Sequence, residues 1–381
     1  MAKDHFFAND KLSFKDKIQR FPLFYFLLIM AICAIGIAML YSAAGGHMQP
    51  WATSQIAFWG LGTFIMIIVA FIPPLWLRLL AWPMWFATFI SLVLVLIIGV
   101  EGGNATRWLP LGPLRFQPSE VAKYTTVLFL AHIAQSLDWE ESRKLRHWLL
   151  PLLAVLVLFG LTLIQPDMGT SLLIFAIAVI IIFLAGLHWG WFVLGLASLP
   201  VIIFGAWNFV FRDYQKQRVL TLFNPESDPL GSGYHIIQSK ISFGSGGVDG
   251  KGFLQSTQGG LSFLPEKHTD FIFAIFGEEF GLRGEYLLIF LYMLIVFGGF
   301  VIAWRCRHQF GRILALGAVS NFFFYFFINM GMVTGLLPVV GVPLPLISKG
   351  GTSMVIILFG FGLVMNSHIY RDLIMKRQLE V

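Results

Sequence analysis

Residues 268–305 have the sequence HTDFIFAIFGEEFGLRGEYLLIFLYMLIVFGGFVIAWR, which is largely apolar. One continuous helix over this stretch would be about 57 Å long at 1.5 Å per residue, whereas the apolar core of a bilayer is about 30 Å thick. Gly281 and Gly284 offer a break. We therefore predict a half-helix at 268–283 that enters a protein-lined cavity from one side of a membrane, followed by a true span at 285–304.

The composition of the whole chain supports a membrane protein. Of its 381 residues, 57% are hydrophobic and 12% charged, and the mean hydropathy is +0.78. These values exclude a soluble globular domain, a disordered chain and a disulfide-stapled secreted module. The apolar runs are near 20 residues long and do not alternate, which argues against a β-barrel. They lie at 22–43, 52–72, 77–99, 117–136, 148–164, 167–186, 189–210, 285–304, 312–333 and 351–369. We predict an all-α polytopic membrane protein with about ten transmembrane helices.

The distribution of basic residues predicts the orientation. Lysine and arginine concentrate at the N-terminus, in alternate short loops and in the tail, while the intervening short segments hold only Arg107, Arg115 and Lys349. By the positive-inside rule, both termini are cytoplasmic and the protein is a multi-pass protein of the cytoplasmic (inner) membrane. The exception is the long polar loop 211–284, which this orientation places outside. The predicted organisation is a cytoplasmic segment at 1–21, one transmembrane domain at 22–369 that includes the extracytoplasmic loop 211–284, and a cytoplasmic tail at 370–381.

Several other classes of protein find no support in the sequence. The net charge is +6, but no basic stripe with interleaved aromatic residues is present, so we expect no nucleic acid partner. Cys33 lies in an apolar run and Cys306 in a short basic loop, so no structural disulfide is expected. The sequence contains no CxxC or HExxH motif, so it does not predict a zinc site.

Ionisable residues within predicted spans are costly and suggest function. Glu120 and Lys123 share one helix face, and Asp167 begins the sixth span. The half-helix carries Asp270, Glu278, Glu279 and Arg283. All of them start from the predicted outer face. Structural alternatives stay open: Glu120 and Lys123 can be a neutralised pair, Asp167 an N-cap, and Glu279 with Arg283 an i, i+4 salt bridge.

Asp270 stands at the mouth of the half-helix with no basic residue three or four positions later. A carboxylate there can act as a general base, although Thr269 or Asp270 can equally cap the helix. Nearby basic residues can bind a diphosphate, and arginine does so with two parallel hydrogen bonds.

The prolines of 334–350 predict a non-helical segment. The glycines of 242–252 permit close backbone approach or simple flexibility, and 234–243 has the composition to lie on a bilayer surface. This pattern suits an enzyme acting on a lipid-linked phosphosugar, and it suits a transporter as well.

Five motifs occur in an order that resembles the SEDS family (shape, elongation, division and sporulation proteins). They are RWLPLGPLRFQPSEVAK (107–123), QPDMGTS (165–171), GYHIIQSKISFGSGG (233–247), LPEKHTDFIFAIFGEEFG (264–281) and NMGMVTGLLPVVGVPLPLISKGGTS (329–353). Details such as GSGGVDGKG are more similar to the elongation branch of the family than to its division branch. Ser256 departs from the pattern, which has glycine there.

The resemblance implies a peptidoglycan glycosyltransferase that polymerises lipid II, the undecaprenyl-pyrophosphate-linked disaccharide-pentapeptide, at the outer face of the cytoplasmic membrane. Asp270 matches the family's essential acid, and the expected role is to take the proton from the acceptor hydroxyl in an inverting transfer. Arg107, Arg115, Lys123 and Lys349 are candidates to bind pyrophosphate, with Glu120 holding Lys123. Supporting roles are expected for Glu266, His268, Thr269, Glu278 and Glu279.

The resemblance also implies partners. These are a class B penicillin-binding protein, which is a transpeptidase, and other proteins of the elongation complex. A divalent cation such as Mg²⁺ or Mn²⁺ is a further expectation, although no ligand set is recognisable. Two other functions compete with the enzyme, namely a lipid II flippase and a non-catalytic scaffold of the wall-synthesis complex.

Overall fold

The computed structural model describes residues 12–102, 105–111, 114–228, 231–257 and 268–377. Its helices are α1 (Phe14–Gln19), α2 (Leu23–Ala43), α3 (Ala52–Phe71), α4 (Pro74–Ile98), α5 (Pro118–Ser136), α6 (Trp139–Ser142), α7 (Arg146–Ile164), α8 (Met168–Leu184), α9 (Trp189–Phe209), α10 (Asp213–Phe223), α11 (Ser232–Gly246), α12 (Ile272–Arg305), α13 (Gln309–Val333) and α14 (Gly351–Ile369). A 3₁₀ turn follows α10 at Pro225–Ser227.

Each of the ten predicted apolar runs forms a helix, which confirms the all-α polytopic membrane fold. Within the described residues, eight of these helices are long and apolar enough to cross a bilayer. The other two are α8, which has 17 residues, and α5, which carries Glu120 and Lys123 in its first turns. The first turns of α5 carry Glu120 and Lys123, and Asp167 caps α8, so both helices begin at the site described below.

The core of the bundle lies where α13 packs against α5, α12 and α14, and α14 packs in turn against α3. Most residues of α5, α13 and α14 are buried. By contrast, none of α9 is buried. Because that helix exposes apolar side chains along most of its length, its natural environment is lipid, and Phe192 packs against Phe183 of α8.

The predicted break in the 268–305 stretch falls at Gly281, where φ is +62° and ψ is −169°. The first half of α12, from Ile272 to Phe280, is buried almost throughout. The second half continues as a span to Arg305. This left-handed, extended backbone is open only to glycine, so one glycine separates a buried half-helix from a transmembrane helix.

We expect Gly281→Ala to destabilise the protein by about 1–3 kcal/mol, since the new side chain would strain this backbone. A Cβ atom on Gly281 would also lie 2.4 Å from the backbone nitrogen of Gly250. The measurement is thermal unfolding in detergent. Gly244→Ala in α11 is the control because a Cβ there meets nothing within 4 Å. Equal melting temperatures for the two variants would show that the break does not depend on glycine.

Residues 100–116 contain a small sheet, which the sequence analysis did not predict. Strands β1 (Val100–Gly102), β2 (Ala105–Leu111) and β3 (Leu114–Phe116) form an antiparallel sheet in that order. Val100 pairs with Trp108, and Leu109 pairs with Phe116. The strands are too short for a clear alternating pattern, and a proline lies inside β2, so the periodicity carries little signal.

Hydrogen bonds hold the residues that follow α14 against the end of the bundle. The guanidinium of Arg78 is buried and donates hydrogen bonds to the carbonyls of Lys376 and Arg377. Gln135 Nε2 donates to the carbonyl of Met375 at 3.2 Å.

His308 caps α13 by accepting from the Gly311 amide at 2.9 Å. Burial lowers the pKa of His308 to about 4, so the ring stays neutral and Nδ1 remains an acceptor.

Candidate functional site

Asp270 lies in the turn that precedes α12, and the surrounding segments hold this turn by its backbone. Asn329 Nδ2 donates to the Asp270 carbonyl at 2.8 Å. Ser348 Oγ donates to the Thr269 carbonyl at 2.6 Å, and the Lys349 amide donates to the His268 carbonyl at 2.8 Å. Three consecutive carbonyls are thus bound by α13 and by the segment that follows it. The position of the Asp270 side chain is therefore set by contacts distant in sequence.

The segment 334–350 is non-helical, as its prolines predict. Buried polar groups stabilise it. Gln55 Nε2 donates to the Ser348 carbonyl at 3.1 Å, while Gln55 Oε1 accepts from the Gly350 amide at 3.2 Å. Tyr292 donates its hydroxyl proton to the Pro345 carbonyl at 2.6 Å. Irregular backbone at this depth is tolerated because protein groups satisfy its hydrogen bonds.

Asp270 lies at the edge of this buried scaffold. The residue is partly exposed, whereas Phe271 and the first half of α12 are buried. Gly341 is exposed and has φ +76°, and a Cβ atom placed on it would lie 3.5 Å from Asp270 Oδ2. The His268 ring stacks on Trp51 with a centroid distance of 4.4 Å. The Asp270 side chain is thus partly accessible, and the adjacent backbone at Gly341 carries no side chain that would cover it.

Glu120 and Lys123 form a buried ion pair behind the site. Their exposures are 3% and 0%. Lys123 Nζ donates to both carboxylate oxygens of Glu120 at 3.0 Å. Tyr325 donates its hydroxyl proton to Glu120 at 2.7 Å, and its ring centroid lies 3.8 Å from Lys123 Nζ. The Lys123 ammonium group has no exposed surface, since Glu120 and the Tyr325 ring enclose it. The geometry therefore favours the neutralised pair over direct binding of pyrophosphate by Lys123.

Asp167 is the N-cap of α8, which is the structural role that its sequence position predicts. Its carboxylate accepts from the Thr170 amide at 3.4 Å. It also accepts from Gln117 Nε2 and Ser119 Oγ, each at 3.1 Å. Arg107 Nη1 lies 3.7 Å from this carboxylate. One buried acid thus joins the start of α5, the start of α8 and strand β2.

A cavity beside this network contains a second arginine, which the sequence analysis missed. Its lining includes Arg107, Pro166, Gln215, Arg218 and Val340. Arg218 Nη1 donates to the carbonyl of Val339 at 3.1 Å. Arg218 comes from α10, a short polar helix within the long loop, where no motif or spacing marks one basic residue over its neighbours. We call this space the two-arginine cavity.

Glu278 is the centre of a buried cluster on the first half of α12. Its side chain is fully buried. Lys251 Nζ donates to it at 2.6 Å, Ser256 Oγ at 2.5 Å and the Thr257 amide at 2.9 Å. These bonds fasten residues 251–257 to the half-helix. Glu278 therefore joins the loop after α11 to the half-helix, and its supporting role in the reaction stays a prediction.

The backbone of 246–252 also contacts the break in α12. The Lys251 amide donates to the Glu278 carbonyl at 3.0 Å, and the Gly252 amide donates to the Glu279 carbonyl at 2.9 Å. The Leu282 amide donates to the Gly247 carbonyl at 3.0 Å. The glycines of 242–252 thus provide close backbone approach, which was one of the two interpretations of their pattern.

The predicted salt bridge between Glu279 and Arg283 is wrong. Arg283 pairs with Asp249, while Glu279 accepts a hydrogen bond from Ser42. The i, i+4 geometry requires a continuous helix, and the break at Gly281 lies between the two residues.

The remaining predicted residues occupy different places. Arg115 has an exposed side chain, and its carbonyl accepts from Thr352 at 3.0 Å. Lys349 is half-buried. Glu266 lies outside the described residues. The segment 234–243 belongs to α11, which packs against α12 and buries Ile236, Ser239 and Ser242, so protein covers at least one of its faces.

A metal site is not evident. Among the residues that the structure describes, no group of three or more histidine, cysteine, aspartate or glutamate side chains is placed to hold an ion. The divalent cation stays a prediction, and no chemical step below depends on it.

Comparison with known proteins shows which proteins share this arrangement. The model of the FtsW, RodA and SpoVE family, described as cell cycle protein, matches residues 22–373. The chain is 42% identical over 372 residues to the peptidoglycan glycosyltransferase MrdB of Escherichia coli K12, covering 96% of this chain and 98% of that protein.

Two solved structures share the fold. One comes from a study of how a peptidoglycan synthase complex coordinates polymerization and crosslinking. It has a TM-score of 0.79 and 31% identity and covers 92% of this chain and 98% of its own. The other is the rod shape determining protein RodA of Thermus thermophilus, with a TM-score of 0.69, 30% identity and coverage of 92% and 97%.

Proposed function

This chain belongs to the FtsW, RodA and SpoVE family of cell cycle proteins, the family that its motifs predict, and we infer its chemistry from that membership and from the site. It is a peptidoglycan glycosyltransferase that polymerises lipid II during cell elongation. The observation that carries the chemistry is the placement of Asp270. Asp270 is partly exposed, and its carboxylate lies beside Gly341. Asn329 holds the Asp270 carbonyl, while Ser348 and Lys349 hold the carbonyls of the two preceding residues.

In the proposed reaction, the Asp270 carboxylate takes the proton of the acceptor's GlcNAc 4-hydroxyl. The freed oxygen attacks the anomeric carbon of the lipid-linked MurNAc on the growing strand. A new carbon–oxygen bond forms as the bond to the diphosphate breaks, and the electron pair of that bond leaves with undecaprenyl diphosphate. The configuration at the anomeric carbon inverts. Asp270 then returns its proton to solvent, so atoms and charge balance. A positioned base of this kind contributes about 10²–10⁴-fold to a rate.

The buried pair of Glu120 and Lys123 has a positioning role in this proposal. It fixes α5 against Tyr325 of α13, and α13 supplies Asn329 to the Asp270 turn. Arg115 and Lys349 are further candidates for contact with the substrate's phosphates, because their side chains are at least partly exposed near the same end of the bundle.

The test uses purified protein with labelled lipid II, analysed for glycan polymer on gels. Polymer formation is expected, and it should increase when the class B penicillin-binding protein that we propose as partner is added. The neighbour from the peptidoglycan synthase complex supports such a partner. Movement of lipid II across vesicle bilayers without polymer would instead indicate a flippase. Neither activity would indicate a scaffold.

We also propose that the Asp270 end faces the outside of the cytoplasmic membrane and that both termini are cytoplasmic. A membrane-impermeant thiol reagent should modify Asp249→Cys in intact cells and Lys144→Cys only after permeabilisation, since both positions are exposed. The native Cys33 and Cys306 are buried and give little background. The reverse labelling pattern would contradict this orientation.

A further inference from the structure

An arginine cluster surrounds Asp372 at the end of the bundle opposite the Asp270 turn. Helix α14 begins beside that turn and ends shortly before Asp372. The Arg20 guanidinium lies 3.1 Å from the Asp372 carboxylate. Arg307 and Arg371 lie 3.7 Å and 3.8 Å from the same carboxylate. The turns that follow α1, α12 and α14 thus bring three positive charges to one point.

The protein itself fixes the positions of these arginines. Arg20 and Arg371 keep only 31% and 32% of their side-chain surface exposed. The Arg307 amide donates to the Arg371 carbonyl at 2.9 Å, which ties the turn after α12 to the turn after α14. Arg371 Nη1 lies 3.0 Å from His368 Nε2. The cluster is therefore organised before a ligand arrives, which reduces the entropy cost of binding.

The positive charge of the cluster exceeds what Asp372 neutralises. Arg312 Nη2 donates to the Cys306 carbonyl at 3.2 Å, beside the turn after α12. Arg305 is close enough to His368 for its charge to act on that ring. Neither of these two arginines forms an ion pair with a carboxylate of the described residues. Five guanidinium groups around one carboxylate leave four positive charges in excess, and such repulsion is relieved when an anion joins the cluster. The full cluster is Arg20, Arg305, Arg307, Arg312 and Arg371 around Asp372.

The apolar residues next to the cluster place it at the level of lipid headgroups. Trp304 immediately precedes Arg305 and is 88% exposed, while Phe24 follows Arg20 by four residues and is 77% exposed. Both aromatic residues belong to helices that are long and apolar enough to cross a bilayer. Exposed aromatic side chains at the ends of such helices mark the edge of the hydrocarbon, and arginines beside them reach the phosphates of the lipid.

We propose that the arginine cluster binds the headgroup of an anionic phospholipid in the adjacent membrane leaflet, and that it prefers a lipid with two phosphates to a lipid with one. Guanidinium binds phosphate oxygens with two parallel hydrogen bonds. The exposed aromatic residues beside the cluster favour a lipid over a soluble anion, since they can contact acyl chains. This site is separate from the Asp270 turn, and its binding is measured without lipid II.

The test measures lipid binding to the detergent-purified full chain by native mass spectrometry. Affinity should decrease from diphosphatidylglycerol to phosphatidylglycerol to phosphatidylcholine. One arginine charge near an anionic headgroup contributes about fivefold to affinity. Arg307→Gln should therefore weaken diphosphatidylglycerol binding about fivefold, and the double variant Arg20→Gln with Arg307→Gln about 25-fold. Asp372→Asn should strengthen it, because the carboxylate competes with phosphate for the same guanidinium groups.

The matched control is Arg143→Gln, an identical change at an exposed arginine that lies over the Trp139 ring, outside the cluster. It should bind diphosphatidylglycerol as the unaltered protein does. Equal losses in Arg143→Gln and Arg307→Gln would show only a general attraction of basic residues for anionic lipid and would overturn the site. Weaker binding by Asp372→Asn would contradict the competition and overturn it too. Displacement of the lipid by sodium phosphate, but not by sodium chloride of equal ionic strength, would assign the cluster to a soluble anion instead.

Discussion

Asp270→Asn is expected to reduce polymerisation of lipid II by about 10²–10⁴-fold, because the amide cannot accept the acceptor's proton. The substitution keeps the size and shape of the side chain. The three hydrogen bonds described above are made to the carbonyls of His268, Thr269 and Asp270, so they should persist. Initial rates of polymer formation with labelled lipid II provide the measurement.

The control for this experiment is Asp249→Asn, which makes the same chemical change at an exposed residue paired with Arg283. It should polymerise at the normal rate, since an exposed ion pair contributes little to stability. Both variants should elute from a sizing column like the unaltered protein. A normal rate for Asp270→Asn would remove it from the role of base, whatever its effect on cell growth.

Lys123→Met is expected to lower the free energy of unfolding by about 3–5 kcal/mol, because it leaves the Glu120 carboxylate buried without its countercharge. Glu120 would keep only the Tyr325 hydroxyl among the partners described above. The melting temperature in detergent should fall, and polymerisation should fall with it because α5 and α13 pack through this pair.

The double variant Glu120→Gln with Lys123→Met distinguishes support from direct catalysis. It removes both charges and keeps the side-chain volumes, so stability should return to near the original value. We expect activity to return as well. A double variant that melts normally yet makes no polymer would show that Lys123 contacts the substrate, as the family resemblance suggests.

Much of the fold could be predicted because lipid imposes simple rules on a chain. Apolar runs of about 20 residues located all ten principal helices. The excessive length of 268–305 predicted a break, which Gly281 supplies. Asp167 after a proline predicted an N-cap, and the structure places it there. In each case the deciding information lies within a short stretch of sequence.

The features that escaped prediction depend on contacts between distant segments. Arg218 becomes distinctive only when α10 folds against the segment carrying Val339. Arg283 pairs with Asp249 rather than Glu279 because the break redirects the helix. The sheet at 100–116 forms from three-residue and seven-residue strands with weak local preference. Such pairings follow from tertiary structure, which sequence periodicity does not contain.

The contacts around the Asp270 turn have a consequence for biosynthesis. Residues 246–252, which contact the break in α12, precede that helix in the sequence, so they leave the ribosome before it. Asn329, Ser348 and Lys349, which hold the turn itself, are synthesised only afterwards. A nascent chain that still lacks α13 and the segment 334–350 therefore lacks the bonds that orient the acid. The enzyme acquires its chemistry only when membrane insertion is nearly complete.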